Sequence, residues 1–76
     1  MKRSVTIHGH ATSFSLEEPF WRALRTEAVE RGVSLARLVT MVDAARGPQT
    51  NLSSALRLHA FARLQARLDE ALRDPA

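Results

Sequence analysis

The stretch "TSFSLEEPFWRAL", residues 12–24, decides the fold, because a strand pattern runs directly into the start of a helix. Over 12–16, Phe14 and Leu16 alternate with serines, which is the period of a half-buried strand. Two glutamates and Pro19 follow, and these residue types suit the first turn of a helix. No hairpin turn follows the strand. Its backbone groups must therefore find a pairing partner elsewhere.

A second strand pattern precedes the first. Residues 4–8, "SVTIH", place Val5 and Ile7 on one face, and "GHA" at 9–11 separates the two patterns. This connection either folds the first segment back as a hairpin or leaves it to pair with another chain. The sequence leaves both arrangements open.

Two helices joined by a very short turn are predicted over 18–31 and 34–46. Gly32 suits the left-handed position after a helix, Ser34 is a natural N-cap, and the Gly47–Pro48 pair ends the second helix. Apolar residues at helical spacing are expected in the core. They are Phe20 or Trp21, followed by Leu24, Ala28, Leu35, Leu38, Val39 and Val42.

A third helix is predicted over 51–73, capped by Thr50 or Asn51. An apolar stripe is expected along this helix at Leu52, Leu56, Ala60, Leu64 and Leu68, and Leu58, Phe61 and Leu72 widen it. A face this broad is expected to pack on its own subunit and on another.

Length and composition favour an oligomer. The chain has 76 residues and no cysteine, so it forms one domain at most, without disulfides or a thiolate zinc site. Domains this small are usually stabilised by disulfides, a metal or a second subunit. A second subunit is therefore expected.

The charge balance is basic. Eleven Lys and Arg against eight Asp and Glu give a net charge of +3. Ten of the eleven cations are arginine, which suits phosphate and guanine recognition. The alternative explanation is a GC-rich genome, in which arginine codons are favoured everywhere. The first ten residues contain too few apolar side chains for a signal peptide. No apolar run approaches the length of about 20 residues that a membrane-spanning helix needs. A cytoplasmic protein is expected.

The order strand, helix, "GVS" turn, helix resembles the ribbon-helix-helix DNA-binding family over about 12–46. "GHATSFSLE" and "NLSSALR" extend the resemblance to a subgroup of short bacterial members, over nearly the whole chain. The resemblance implies a mainly helical domain, 1–76, with a short β-ribbon. Residues 1–11 form an arm or extra strand, and 12–16 pair antiparallel with a second chain in an intertwined homodimer.

The resemblance also implies a repressor-like regulator that inserts its ribbon into the DNA major groove. Ser13 and Ser15 would face the bases, and the helix start at Ser34 would hold a phosphate. Lys2 and Arg3 of the arm are expected at phosphates. Glu17 is expected to cap its own helix rather than to contact a base.

Other chemistries have weaker support. His8, His10 and His59 do not make a convincing metal site, and neither a cofactor nor catalysis is expected. Asp43 is expected either to pair with Arg46 or to cap a neighbouring helix.

The alternative function is a protein-interaction module or antitoxin-like protein of the same fold. Its third helix would bind a partner protein, and its binding to specific DNA would be weak or lost. The sequence also leaves open whether dimers stack on tandem DNA sites.

Overall fold

The computed structural model describes residues 2–7 and 9–73, which form a hairpin followed by three helices. The elements are β1 (Lys2–Ile7), β2 (His10–Ser15), α1 (Glu18–Arg31), α2 (Leu35–Ala45) and α3 (Leu52–Arg73). Among these helices, none is long and apolar enough to cross a membrane.

The two strands pair with each other within the chain. β1 and β2 are antiparallel, in a register that runs from Lys2 opposite Ser15 to Ile7 opposite His10. Gly9 has φ 81°, a left-handed backbone conformation that glycine adopts without strain. Because only positions 8 and 9 separate the strands, pairing extends further than predicted: β1 begins at residue 2, and β2 spans 10–15 rather than 12–16.

Helix α1 begins and ends where its local sequence directs. Pro19 lies in its first turn, and Gly32 follows its last residue with φ 70°. The Gly32 N–H bonds to the carbonyls of Ala28 and Val29, and the Val33 N–H donates to the Ala28 carbonyl at 3.0 Å. These bonds satisfy carbonyls that the helix end would leave free.

Helix α2 is capped by a side chain at its start and by the backbone N–H of Arg46, which donates to the Val42 carbonyl, at its end. The Ser34 Oγ accepts a hydrogen bond from the Arg37 N–H at 3.0 Å, which confirms the predicted N-cap. The helix ends at Ala45. Arg46 then has extended backbone, and its Nε lies 2.6 Å from Asp43, so the predicted ion pair is confirmed. The N-cap of α3 is Asn51, whose Oδ1 accepts from the Ser54 N–H at 2.8 Å.

The core lies between the inner face of the hairpin and the three helices. β1 packs on α2, and β2 packs on α3. The buried apolar residues are Ile7, Phe14, Leu16, Leu24, Ala28, Leu38, Val39, Val42, Ala55, Leu56 and Ala60. Trp21 and Leu35 pack against this core but are only partly buried.

The predicted apolar stripe along α3 faces the core of its own chain only in its first half. Leu56 and Ala60 are buried, but Leu64 and Leu68 are 51% and 53% exposed. Steps of four residues in an α-helix advance the direction of the side chain by about 40° each. Leu68 therefore points roughly 120° away from Leu56, and the stripe leaves the core.

Candidate nucleic-acid interface

The outer face of the hairpin is polar and exposed. Ser4, Thr6, Ser13 and Ser15 all lie on the solvent side. Apolar residues alternate with them along each strand and pack on the core. Because successive side chains of a strand point to opposite faces, this packing holds the polar side chains toward solvent. The predicted exposure of Ser13 and Ser15 is confirmed.

The register adds β1 residues to this surface. Ser4 lies opposite Ser13, and the backbone of Lys2 lies opposite that of Ser15. The side chains of Lys2, Arg3 and His10 lie outside the described structure, as does all of His8. The predicted phosphate contacts of the arm therefore lie outside the described side chains, and so do two of the three histidines considered for a metal site.

Helix α3 holds the end of β2. The Ser15 N–H donates to the Ser53 Oγ at 3.2 Å, and the Arg57 Nη2 donates to the Ser15 carbonyl at 3.4 Å. Both backbone groups of Ser15 therefore point away from β1. This anchoring fixes the strand where it joins α1.

Glu17 does not cap its own helix, contrary to the prediction. It occupies the N-cap position of α1 by its backbone, but its carboxylate lies 2.6 Å from the Arg57 Nε. The hydrogen bond from Arg57 holds the pKa of Glu17 below its ordinary value. Arg57 therefore balances an acidic charge that would otherwise repel phosphate beside the ribbon.

The outer edge of β2 is open in the described structure. In an antiparallel strand, every second residue directs its N–H and C=O to the same edge. Because Ser15 points these groups away from β1, Ser13 and Ala11 do so as well. The sheet has two strands, so no described strand pairs with this edge. It can accept a strand from another chain.

The start of α2 has the features of an anion site. Ser34 and Arg37 are exposed, and the first turn contains no acidic residue. The N–H groups of the first turn lack helical partners, except where the Ser34 Oγ satisfies that of Arg37. The sequence analysis named Ser34 but not Arg37, which places a positive charge in the first turn of α2.

A separate polar cluster joins α1 to α3. Glu27 is only 1% exposed, and its carboxylate lies 2.8 Å from the His59 Nε2 and 2.6 Å from the Arg31 Nε. The contact with Arg31 is an ion pair without hydrogen-bond geometry. Sequence reasoning missed this cluster, although Glu27 lies within the apolar stripe of α1. The described residues include no group of three metal-ligating side chains.

A second ion-pair group lies beside it on the surface. Glu30 accepts from Arg63 at 2.8 Å and from Arg67 at 3.3 Å. The hydrogen bond from Arg63 lowers the pKa of Glu30, and the same bond raises the pKa of Arg63. These contacts direct the side chains of Arg63 and Arg67 from α3 toward α1.

The fold and its polar hairpin face define a small class of protein in which a β-ribbon precedes two helices. The family model described as "Ribbon-helix-helix domain" matches residues 1–64, and the chain belongs to this family. Its domains generally bind DNA as dimers, occur in regulators and antitoxins, and are typically non-enzymatic. Comparisons with curated proteins and with solved structures find no match.

Proposed function

We propose that the chain is a DNA-binding transcriptional regulator that acts as a homodimer and reads DNA with the outer face of its hairpin. The observation that carries the proposal is the exposed polar face of Ser4, Thr6, Ser13 and Ser15 on a hairpin whose other face is buried. Hydroxyl groups donate to and accept from base edges, and the major groove admits a two-stranded ribbon.

The dimer forms through the open edge of β2. Pairing of Ala11 and Ser13 with the same residues of a second chain satisfies the backbone groups that point outward. The product is a four-stranded sheet in which the two β2 strands are central. Because Ser15 is already bound to α3, the new pairing is confined to the part of β2 before it.

The outer strands then lie above the phosphates. With strands about 4.8 Å apart, each β1 lies roughly 7 Å from the dimer axis. The major groove is about 12 Å wide, so β1 runs along its rim. Lys2 and Arg3 contact phosphate there, while Ser34 and Arg37 at the start of α2 bind another phosphate.

The reading face is tested by giving it a negative charge. Ser13→Glu is compared with Thr26→Glu, which makes the same charge change at an exposed position on α1. DNA affinity is measured by fluorescence anisotropy over a series of salt concentrations. We expect Ser13→Glu to weaken binding at least tenfold and Thr26→Glu to change it little. Equal effects of the two substitutions would overturn this assignment.

The pairing edge is tested with proline. Ser13→Pro removes an N–H from the open edge of β2 but no hydrogen bond from the hairpin. Ser4→Pro is its matched control, because Ser4 lies opposite Ser13 and points its own N–H away from β2. Analytical ultracentrifugation should show that Ser13→Pro halves the number of chains per particle and Ser4→Pro does not. The reverse result would move the interface to β1.

A protein-interaction module is the second candidate, favoured by the apolar side chains that α3 exposes. In an antitoxin-like protein, these side chains would bind a different protein. In that case, DNA retention would be weak even at low salt, and Ser13→Glu would leave it unchanged. The anisotropy experiment above therefore separates the two candidates.

A further inference from the structure

Helix α3 carries an apolar stripe on the side opposite the core. We call it the outer stripe, and its members are each more than half exposed. They are Leu58, Phe61, Leu64, Leu68 and Leu72. Exposed apolar surface of this kind, extending over several hundred Å² or more, marks an interaction site rather than an ordinary surface.

The polarity of the second half of α3 is reversed relative to a normal surface helix. Arg63 and Arg67 face Glu30 of α1 and bind it, whereas the leucines face solvent. A surface helix usually directs its apolar residues inward and its charges outward. The reversal indicates that a further element covers the outer stripe.

The spacing of the stripe is that of a coiled-coil seam. Large side chains recur at steps of three and four residues, at positions 58, 61, 65, 68 and 72. Gln65 occupies the central position, and its Nε2 donates to Asp69 at 3.1 Å. A single polar residue within such a seam sets register between two similar helices.

The margins of the seam carry little free charge. Within the described helix, Arg57 and Asp69 are the charged flanking residues, and both have partners within the chain. The other flanking positions hold Leu64 and the small residues Ala62 and Ala71, which allow a second helix to approach closely. A strongly charged partner would find few free groups to bind here. Another neutral apolar stripe fits the seam well.

We propose that the outer stripe pairs with the outer stripe of a second copy of this chain. A specific interface buries roughly 1,000 Å² or more in total over both partners, and each of the two facing stripes contributes five apolar side chains that are more than half exposed. This contact is separate from the β2 edge and joins chains that the ribbon does not join. With both contacts present, four chains assemble as two ribbon dimers joined by α3, an arrangement suited to neighbouring DNA sites.

The test compares Leu68→Glu and Phe61→Glu with Val29→Glu. Val29 is an apolar residue on α1 that is 80% exposed, so it controls for placing a charge on an exposed apolar position. Helix content is checked by circular dichroism, and mass is measured by analytical ultracentrifugation. We expect both α3 variants to contain half as many chains as the wild type and Val29→Glu to match it. Leu68→Ala, which keeps the helix intact, should weaken the same association at least tenfold.

If both α3 variants have the mass of the wild type, the proposal is overturned. The outer stripe would then be a binding surface for a different protein. The Ser13→Pro variant distinguishes this failure from failure of the ribbon dimer. If only Ser13→Pro reduces the mass, the α3 contact is wrong. If only the α3 variants reduce it, the ribbon pairing is wrong and the α3 contact stands.

Discussion

At the scale of single residues, the side chains around the ribbon divide into those set by local sequence and those set by distant partners. Ser13 and Ser15 follow from the alternation of their strand. The partner of Glu17 does not, because Arg57 lies forty positions away in sequence and reaches Glu17 only when α3 packs on β2. Local rules therefore predicted a helix cap where the structure has an ion pair between elements.

Glu27 should be the most sensitive charged residue for stability. Glu27→Ala leaves His59 and Arg31 without their carboxylate, and both are partly exposed and can take up water. Removing one partner of a buried ion pair lowers stability, because the remaining charge loses its compensation. Hydration of His59 and Arg31 offsets part of this loss, so we expect the unfolding free energy to fall by about 2 kcal/mol. Urea denaturation measures it, with exposed Glu70→Ala as the control. Equal stability of the two variants would contradict the role of Glu27.

The pKa values of Glu17 and Glu30 are both lowered by arginine partners, which makes stability depend on pH in acid. A lowered pKa in the folded state stabilises the protein above the ordinary glutamate pKa of about 4.3. That contribution is lost as pH falls through the lowered value. We expect urea denaturation to show a decline below about pH 4, and Glu30→Gln to make the decline shallower. An unchanged pH profile in Glu30→Gln would contradict the assignment.

At the scale of elements, the turn between α1 and α2 depends on the left-handed conformation of Gly32. Nothing lies within 4 Å of a methyl group placed there, so the cost of substitution comes from the backbone alone. Gly32→Ala should therefore lower the unfolding free energy by about 1 kcal/mol. Gly47→Ala is the control, because Gly47 also has open space but is not left-handed. A similar loss in both variants would contradict this reason.

The helices were predictable because capping residues mark their ends, such as Ser34 at the start of α2 and Gly32 after α1. The sequence did not predict whether the first strand pairs within the chain or with another chain, because strand alternation alone does not specify the pairing partner. Which part of the α3 stripe faces the core of its own chain was not predicted, because a stripe at steps of four residues drifts around the helix. Only the packed structure shows that Leu64 and Leu68 turn away from the core.

At the scale of the whole molecule, a net charge of +3 gives the proposed DNA binding a modest electrostatic contribution, and residues 1–16 carry +2 of it. Lys2 and Arg3 precede any acidic residue in the chain, the first of which is Glu17. Lys2→Ala should weaken binding to all DNA sequences alike. The plot of log affinity against log salt concentration should also become less steep, by about 0.9 for each phosphate that the protein no longer neutralises. A dimer loses two such contacts, so its slope should change by roughly 2. Weaker discrimination between sequences with an unchanged slope would contradict a role of Lys2 at phosphate.

The most direct test of the hairpin as a DNA-reading surface is selection from a random-sequence DNA pool at two salt concentrations. We expect enrichment of a short palindromic or repeated motif, with half-sites related by the two-fold symmetry of the dimer. Retention should also fall as salt rises, because phosphate contacts release counterions. If the pool shows no retention even at low salt, the hairpin does not read DNA and the proposed function is contradicted.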